Sequence, residues 1–117
     1  MINDFQDIVV WQKAHKLTLL IYKVSSRFPK SELFGVTSQI RRSSASIAAN
    51  IVEGFTRRTK NDRYRFYTIA DGSLAETKYF IILAKDLKLL SNEEYNTIIN
   101  LIHEVGRLLN GWMKTQK

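Results

Sequence analysis

The chain has no cysteine, one proline and two histidines among its 117 residues, and each scarcity removes a class of chemistry. Without cysteine there is no disulfide, no thiolate nucleophile and no sulfur-ligated metal; a reducing compartment is allowed by that absence but not required by it. Di-iron chemistry in a helical bundle needs paired Glu-x-x-His motifs. Gln12 stands three before His15 and Asn100 three before His103, so neither histidine has that companion, and no metal or cofactor is expected. A phosphate-cradling glycine loop and a Gly-x-Ser-x-Gly elbow are both missing; Gly72-Ser73 fits neither pattern. The carboxylates Glu53, Asp71, Glu76 and Glu104 have no spacing that forces two of them together as acid and base. An enzyme is not expected. The longest apolar run, about Tyr79 to Ala84, is far short of the roughly 18 residues that cross a membrane. The polar opening from Met1 to Asp7 lacks the basic and apolar regions of a secretory signal, so the expected location is the cytoplasm.

What is present is a chain that is 44% apolar and 25% charged, a balance that suits one globular domain over residues 1–117. The net charge of +7 favours an anionic partner, whether nucleic acid, an acidic protein or a lipid surface; the alternative is that a basic surface only keeps the protein soluble. Strong punctuation falls only at Phe28-Pro29-Lys30-Ser31, at Thr59 to Asp62 and at Ser91-Asn92-Glu93-Glu94, which leaves four long segments. Asp7, Ser31 and Thr59 or Asn61 are the expected caps of the first three, and Ser91 with Glu94 has the capping-box spacing.

Each segment alternates apolar residues by three and four, the period of a helix seam. The seams are Val10, Ala14, Leu17, Ile21, Val24 and Phe28; Leu33, Val36, Ile40, Ser44, Ile47 and Ile51; Tyr67, Ala70, Leu74, Thr77, Ile81 and Ala84; and Tyr95, Ile98, Ile102, Val105, Leu109 and Trp112. Helices over about 8–28, 32–56, 61–89 and 92–114 follow. Short connections make consecutive helices antiparallel, so the expected fold is an all-α, up-down-up-down four-helix bundle. Small Ser44, Ala45, Ala48 and Ala49 would admit a close neighbour. Close packing is likewise the expected compensation for the cost of placing Gly35, Gly72 and Gly106 inside helices, about 1 kcal/mol each.

Three surfaces stand out. Helix 1 carries a second stripe, Ile8, Trp11, His15, Leu19 and Tyr22, roughly 140° from its seam at 100° per residue. One bundle core cannot cover both stripes, which points to a homo-oligomer interface; a folded-back N-terminal segment is the alternative cover. Between the stripes lies a basic strip of Lys13, Lys16, Lys23 and Arg27. The junction of helices 2 and 3 gathers Arg57, Arg58, Lys60, Arg63 and Arg65, with Tyr64, Phe66 and Tyr67 interleaved. Clustered cations suit phosphates, free amides at a helix start would add to the attraction, and aromatic neighbours could stack on unpaired bases. The competing reading has the aromatics in the core and the arginines paired with Glu53, Asp62 or a neighbouring chain. On helix 2, Gln39, Arg42, Ser46, Asn50 and Glu53 share a polar back face, read as a solvated side or as hydrogen bonds to another helix or subunit.

Val10-Trp11-Gln12-Lys13-Ala14, Phe28-Pro29 with Glu32, Ser38-Gln39-Ile40-Arg41-Arg42-Ser43, Asn50-Ile51-Val52-Glu53-Gly54 and Gly72-Ser73-Leu74-Ala75-Glu76 follow one another over nearly the whole chain. As a set they resemble the four-helix bundle proteins encoded by intervening sequences of bacterial 23S ribosomal RNA genes. Similar bundles include the accessory variability determinant of diversity-generating retroelements. The resemblance implies a homopentameric barrel of bundles with a basic surface suited to nucleic acid, and it implies no catalysis. Asp71, just before Gly72-Ser73, departs from the basic or neutral residue expected there, which confines phosphate contact on helix 3 to its N-terminal end. The expected nucleic-acid contacts are Arg41, Arg42, Arg57, Arg58, Lys60, Arg63 and Arg65, in RNA or DNA. The alternative is a structural adaptor whose basic face docks an acidic partner protein. A membrane role would require helix 1 to be free of the bundle.

Overall fold

In a computed structural model that describes residues 2–117, four helices follow the four periodic segments: α1 (Val9–Ser25), α2 (Val36–Phe55), α3 (Lys60–Asp86) and α4 (Asn92–Lys114). Each helix packs against its neighbours in the chain, and α1 also packs against α4. Side-chain bonds fix the directions. Arg41 reaches Ser25 while Thr18 reaches Ser44; Ser46 meets Ser73 while Ser43 meets Thr77; Tyr64 reaches Met113 near the other end of α4 from Tyr95, which sits under Lys85; and Lys13 and Arg27 pair with Glu104 and Glu94. In every case a rising number on one helix meets a falling number on the next, so all four neighbouring pairs are antiparallel. The bundle measures 44 × 25 × 20 Å. No helix among the described residues is long and apolar enough to cross a membrane.

The seams of α1, α3 and α4 are buried as their spacing predicts, from Val10 to Val24, from Tyr67 to Ala84 and from Ile98 to Leu109, with Phe28, Tyr95 and Trp112 half-buried at the ends. Full burial of each large aliphatic side chain contributes about 1.5 to 3 kcal/mol, which outweighs the poor helix propensity of α2. That helix reads Ser43-Ser44-Ala45-Ser46, and its hydroxyls would favour turns if they found no partners. Here they do: Ser43 Oγ accepts from Thr77 Oγ1 at 2.9 Å, and Ser44 Oγ donates back to the Arg41 carbonyl. The small residues that meet α3 include Ser43, Ser46 and Gly54, whereas Ala45 and Ala49 are exposed.

Helix ends differ from expectation where local chemistry overrides the period. Ser31 does not cap α2. A single 3-10 turn, Lys30–Glu32, intervenes, and Gly35 is the residue before the first turn of α2, so it is not inside a helix and Leu33 is left half exposed. Nor does Asp7 cap α1: Asp4 instead accepts the Gln6 amide and caps a short 3-10 turn, Phe5–Asp7, and α1 begins after Ile8. Thr59 does cap α3, accepting from the Asp62 amide. At the other end α3 stops at Asp86 because Lys88 turns left-handed (φ 64°), with Leu89 N–H donating to Ala84 O and Lys88 N–H to Lys85 O. That is a Schellman closure with lysine in the place usually taken by glycine.

The capping box at α4 is formed in both directions: Ser91 N–H donates to Glu94 Oε1 at 2.9 Å, and Glu94 N–H donates to Ser91 Oγ at 3.0 Å. The Ser91 amide, then its hydroxyl and the Arg27 charge, hold the Glu94 carboxyl below its ordinary 4.5, against a smaller opposing effect of burial. A group depressed on folding stabilises the fold above its unfolded value, and that contribution is lost as pH falls through the folded value. Acidification below about 4.5 is therefore expected to lower the melting temperature less in Glu94→Gln than in the parent. Thermal melts followed by circular dichroism across that range check it; equal losses would remove Glu94 from the acid response.

Candidate nucleic-acid interface

The chain turns from α2 into α3 within Thr56 to Thr59, and the antiparallel arrangement brings the end of α4 beside that turn. The predicted basic residues behave differently once placed there. Arg63 points inward across the end of the bundle. Its guanidinium donates to Gln116 Oε1 at 3.0 Å, to the Arg58 carbonyl at 3.0 Å, to the Arg57 carbonyl at 3.4 Å and to the Lys117 carbonyl. It ties the turn to α4, and its donors are spent on carbonyl and amide oxygens. Arg57 pairs with Glu53 at 3.1 Å and lies 4.5 Å over the Phe66 ring, with a buried Nε that has no partner. Arg65 lies over the same ring, also at 4.5 Å, and Lys60 lies over Tyr64 at 5.6 Å. Arg58, Lys60 and Arg65 are exposed and belong to no ion pair among the described residues.

The aromatic residues at this end are engaged by the protein itself. Tyr67 is fully buried, and burial pushes its phenol up, with the Trp112 indole and the Arg63 charge acting in the opposite direction. Its hydroxyl and Trp112 Nε1 are both buried and are each other's polar neighbour, but they fall short of full hydrogen-bond geometry. Tyr64 donates to the Met113 carbonyl at 2.6 Å. The helix start is also less open than expected: Thr59 Oγ1 occupies the Asp62 amide at 3.2 Å, and the Asp62 carboxylate sits in the first turn. What remains is a set of outward cations. Lys114, in the last turn of α4, and Lys117, just past it, are both exposed and join the set.

Arg41 and Arg42 lie elsewhere. They are about 15 residues up α2 from Arg57, which at 1.5 Å per residue separates them by roughly 22 Å. Arg41 donates to Ser25 Oγ at 2.8 Å and covers Tyr22, 4.7 Å from the ring centre, closing the end of α1; Arg42 is exposed. The basic residues read as one site are therefore divided between two ends of the bundle. The strip on α1 is partly neutralised, since Lys13 pairs with Glu104 and Arg27 with Glu94. Of the polar line on α2, Ser46 bonds Ser73 on α3 at 2.8 Å, Asn50 bonds back to Ser46 and Glu53 bonds Arg57, while Gln39 and Arg42 face outward.

The second stripe of α1 also divides. Ile8 is buried in the chain's own core. Trp11 is half-buried between Phe5, edge-on at 5.0 Å, and His15, stacked at 5.1 Å, so the N-terminal turn covers that part of the stripe. Leu19 and Tyr22 stay exposed, and the turn before α2 extends the patch with Leu33 and Phe34, the latter 93% exposed. Tyr22, Leu33, Phe34, Arg41 and Arg42 line one shallow groove. Since α1 contributes Val10 to Val24 to the core, it is not a free interfacial helix.

These features define a small basic antiparallel four-helix bundle with a cationic end and a separate exposed apolar patch. The chain belongs to the 23S rRNA-intervening sequence protein family, whose model matches residues 6–111. It is also similar to a solved structure from Bacteroides thetaiotaomicron, described as a protein of unknown function from the S23 ribosomal protein family. The two share 29% identity with a TM-score of 0.85, over 94% of this chain and 99% of that one. Neither description states an enzymatic activity. A comparison with curated proteins returned no match.

Proposed function

We propose that the protein is a non-enzymatic, cytoplasmic homo-oligomer that holds RNA or DNA by its phosphates at the α2–α3–α4 end. The observation that carries this reading is convergence. Arg57, Arg58, Lys60 and Arg65 lie at the same end of the bundle as Lys114 and Lys117, where Glu53 at the end of α2 and Asp62 at the start of α3 are the nearby acids in sequence. Such a cluster lowers the free energy of any polyanion by releasing its counterions and needs no base readout. Assembly, expected to be pentameric, is supported by Leu19, Tyr22, Leu33 and Phe34, a continuous exposed apolar patch at the far end of α1 from its N-terminal turn. Several weak cationic ends on one particle would add through effective concentration.

Two measurements test the reading. Light scattering at micromolar concentration is expected to give a mass several times 13.6 kDa, and Tyr22→Glu with Leu19→Glu is expected to return it to the monomer with helicity retained. Binding to nucleic acid is expected to weaken linearly on a log–log plot against salt, with a slope near 0.9 per duplex phosphate neutralised. A persistent monomer would remove the assembly. Salt-independent or absent binding would favour docking of an acidic protein at the same cations.

A further inference from the structure

We infer that the basic end takes the backbone of a double-stranded nucleic acid in preference to a single strand; this rests on the reading above, that the end binds nucleic acid at all. A protein without base readout can hold nucleic acid in two ways. It can offer aromatic platforms on which unpaired bases stack, or it can offer cations that neutralise phosphates. The first way is closed at this surface. Phe66 is covered by two of the protein's own guanidinium groups, each 4.5 Å from the ring centre. The Tyr64 hydroxyl is tied to Met113 and its ring lies beside Lys60. Tyr67 is fully buried, and Phe55 and Trp112 are half-buried against the core.

The second way favours the duplex. Binding then depends on the density of phosphates within reach, and a duplex carries about one charge per 1.7 Å of axis, twice that of either strand alone. The outward cations come from separate elements: Arg58 from the turn, Lys60 and Arg65 from α3, Lys114 from the last turn of α4, and Lys117 from the segment after it. They lie at one end of a bundle whose two shorter extents are 25 and 20 Å, wider than either groove of B-form DNA, at about 12 and 6 Å. Cations on different elements can therefore meet both phosphate rows that border a groove. A single strand supplies one row, and its exposed bases find no free ring to stack on.

The test is fluorescence anisotropy with a labelled mixed-sequence strand of about 20 nucleotides, alone and annealed to its complement, in DNA and RNA versions, compared at equal phosphate concentration and fixed salt. Both duplexes are expected to bind at least about tenfold more tightly than the corresponding single strands, with a slope against log salt nearer 0.9 than 0.7 per contact. Phe66→Leu is expected to leave the duplex-to-single-strand ratio unchanged. Equal or tighter binding of single strands overturns the preference and leaves the proposed function standing, as does selective loss of single-strand binding in Phe66→Leu. Failure of all four probes to bind overturns both.

Discussion

Gly54→Ala is expected to destabilise the protein by about 1 to 3 kcal/mol, although glycine to alanine within a helix ordinarily stabilises by about 1 kcal/mol. The reason is the approach of α3. A methyl group at position 54 would lie 2.5 Å from Tyr67 Cε1, 2.9 Å from Cδ1 and 3.0 Å from Cζ. These are ring atoms of a fully buried side chain, not the movable tip of a surface residue, so relief requires the Tyr67 ring to leave its place in the core or α2 and α3 to move apart. Gly72→Ala is the control, because a methyl group there meets nothing within 4 Å; it should gain close to the full propensity difference of about 1 kcal/mol. Urea unfolding of the two variants is expected to move in opposite directions. Adding Tyr67→Leu to Gly54→Ala should recover part of the loss as a favourable coupling of about 0.5 to 3 kcal/mol, whereas Tyr67→Phe, which keeps the ring, should recover none of the steric term. If Gly54→Ala is as stable as the parent, the close contact is not a constraint on the fold.

That contact marks the limit of what the sequence disclosed. Seam spacing located the buried residues of all four helices, with Leu33 before α2 the exception, because burial against one face imposes a period that any single helix displays. The same reasoning placed Gly35, Gly72 and Gly106 in tight interfaces and passed over Gly54. Gly72 faces open space, Gly106 meets only Leu74 at 3.5 Å, and Gly35 precedes α2. A period says which side of a helix is buried but not which partner side chain presses against its backbone, as the Tyr67 ring does at Gly54. Ile8 shows a related limit: its azimuth on an ideal helix put it on the outer stripe, yet it precedes the first residue of α1, where the chain is extended (φ −78°, ψ 118°), and it turns into the core.

The candidate interface was legible in its composition but not in its division of labour. Five cations in nine residues are visible in the sequence; that Arg63 spends its donors inside the bundle is not, because its partners lie more than 50 positions away at Gln116 and Lys117. Lys114 and Lys117 could have been added by topology alone. An antiparallel bundle must bring the end of its fourth helix beside the start of its third, and that step needs no coordinates. Arg41 and Arg42 could have been set apart by the same rule, since more than about four helical turns separate them from Arg57 and Arg58.

The division of labour sets the second large effect. The triple reversal Arg58→Glu, Lys60→Glu and Arg65→Glu is expected to reduce nucleic-acid affinity by more than about a hundredfold near physiological salt, because it removes three cations and places three like charges against the phosphates. Stability should change little. All three side chains are exposed, none belongs to an ion pair among the described residues, and exposed charges contribute roughly 0 to 1 kcal/mol each. Arg63→Glu is expected to give the opposite pattern. It removes the donors that hold the Arg57, Arg58 and Lys117 carbonyls and Gln116 and leaves a carboxylate facing carbonyl oxygens, at about 0.5 to 1.5 kcal/mol for each hydrogen bond lost, since none of the released oxygens is fully buried. The melting temperature should therefore fall in Arg63→Glu and hold in the triple variant, while affinity at a temperature where both are folded should fall much further in the triple variant. Anisotropy titrations paired with thermal melts read both quantities. A triple variant that is folded, keeps the parent's oligomeric mass and binds as tightly as the parent would move the phosphate contacts away from this end of the bundle.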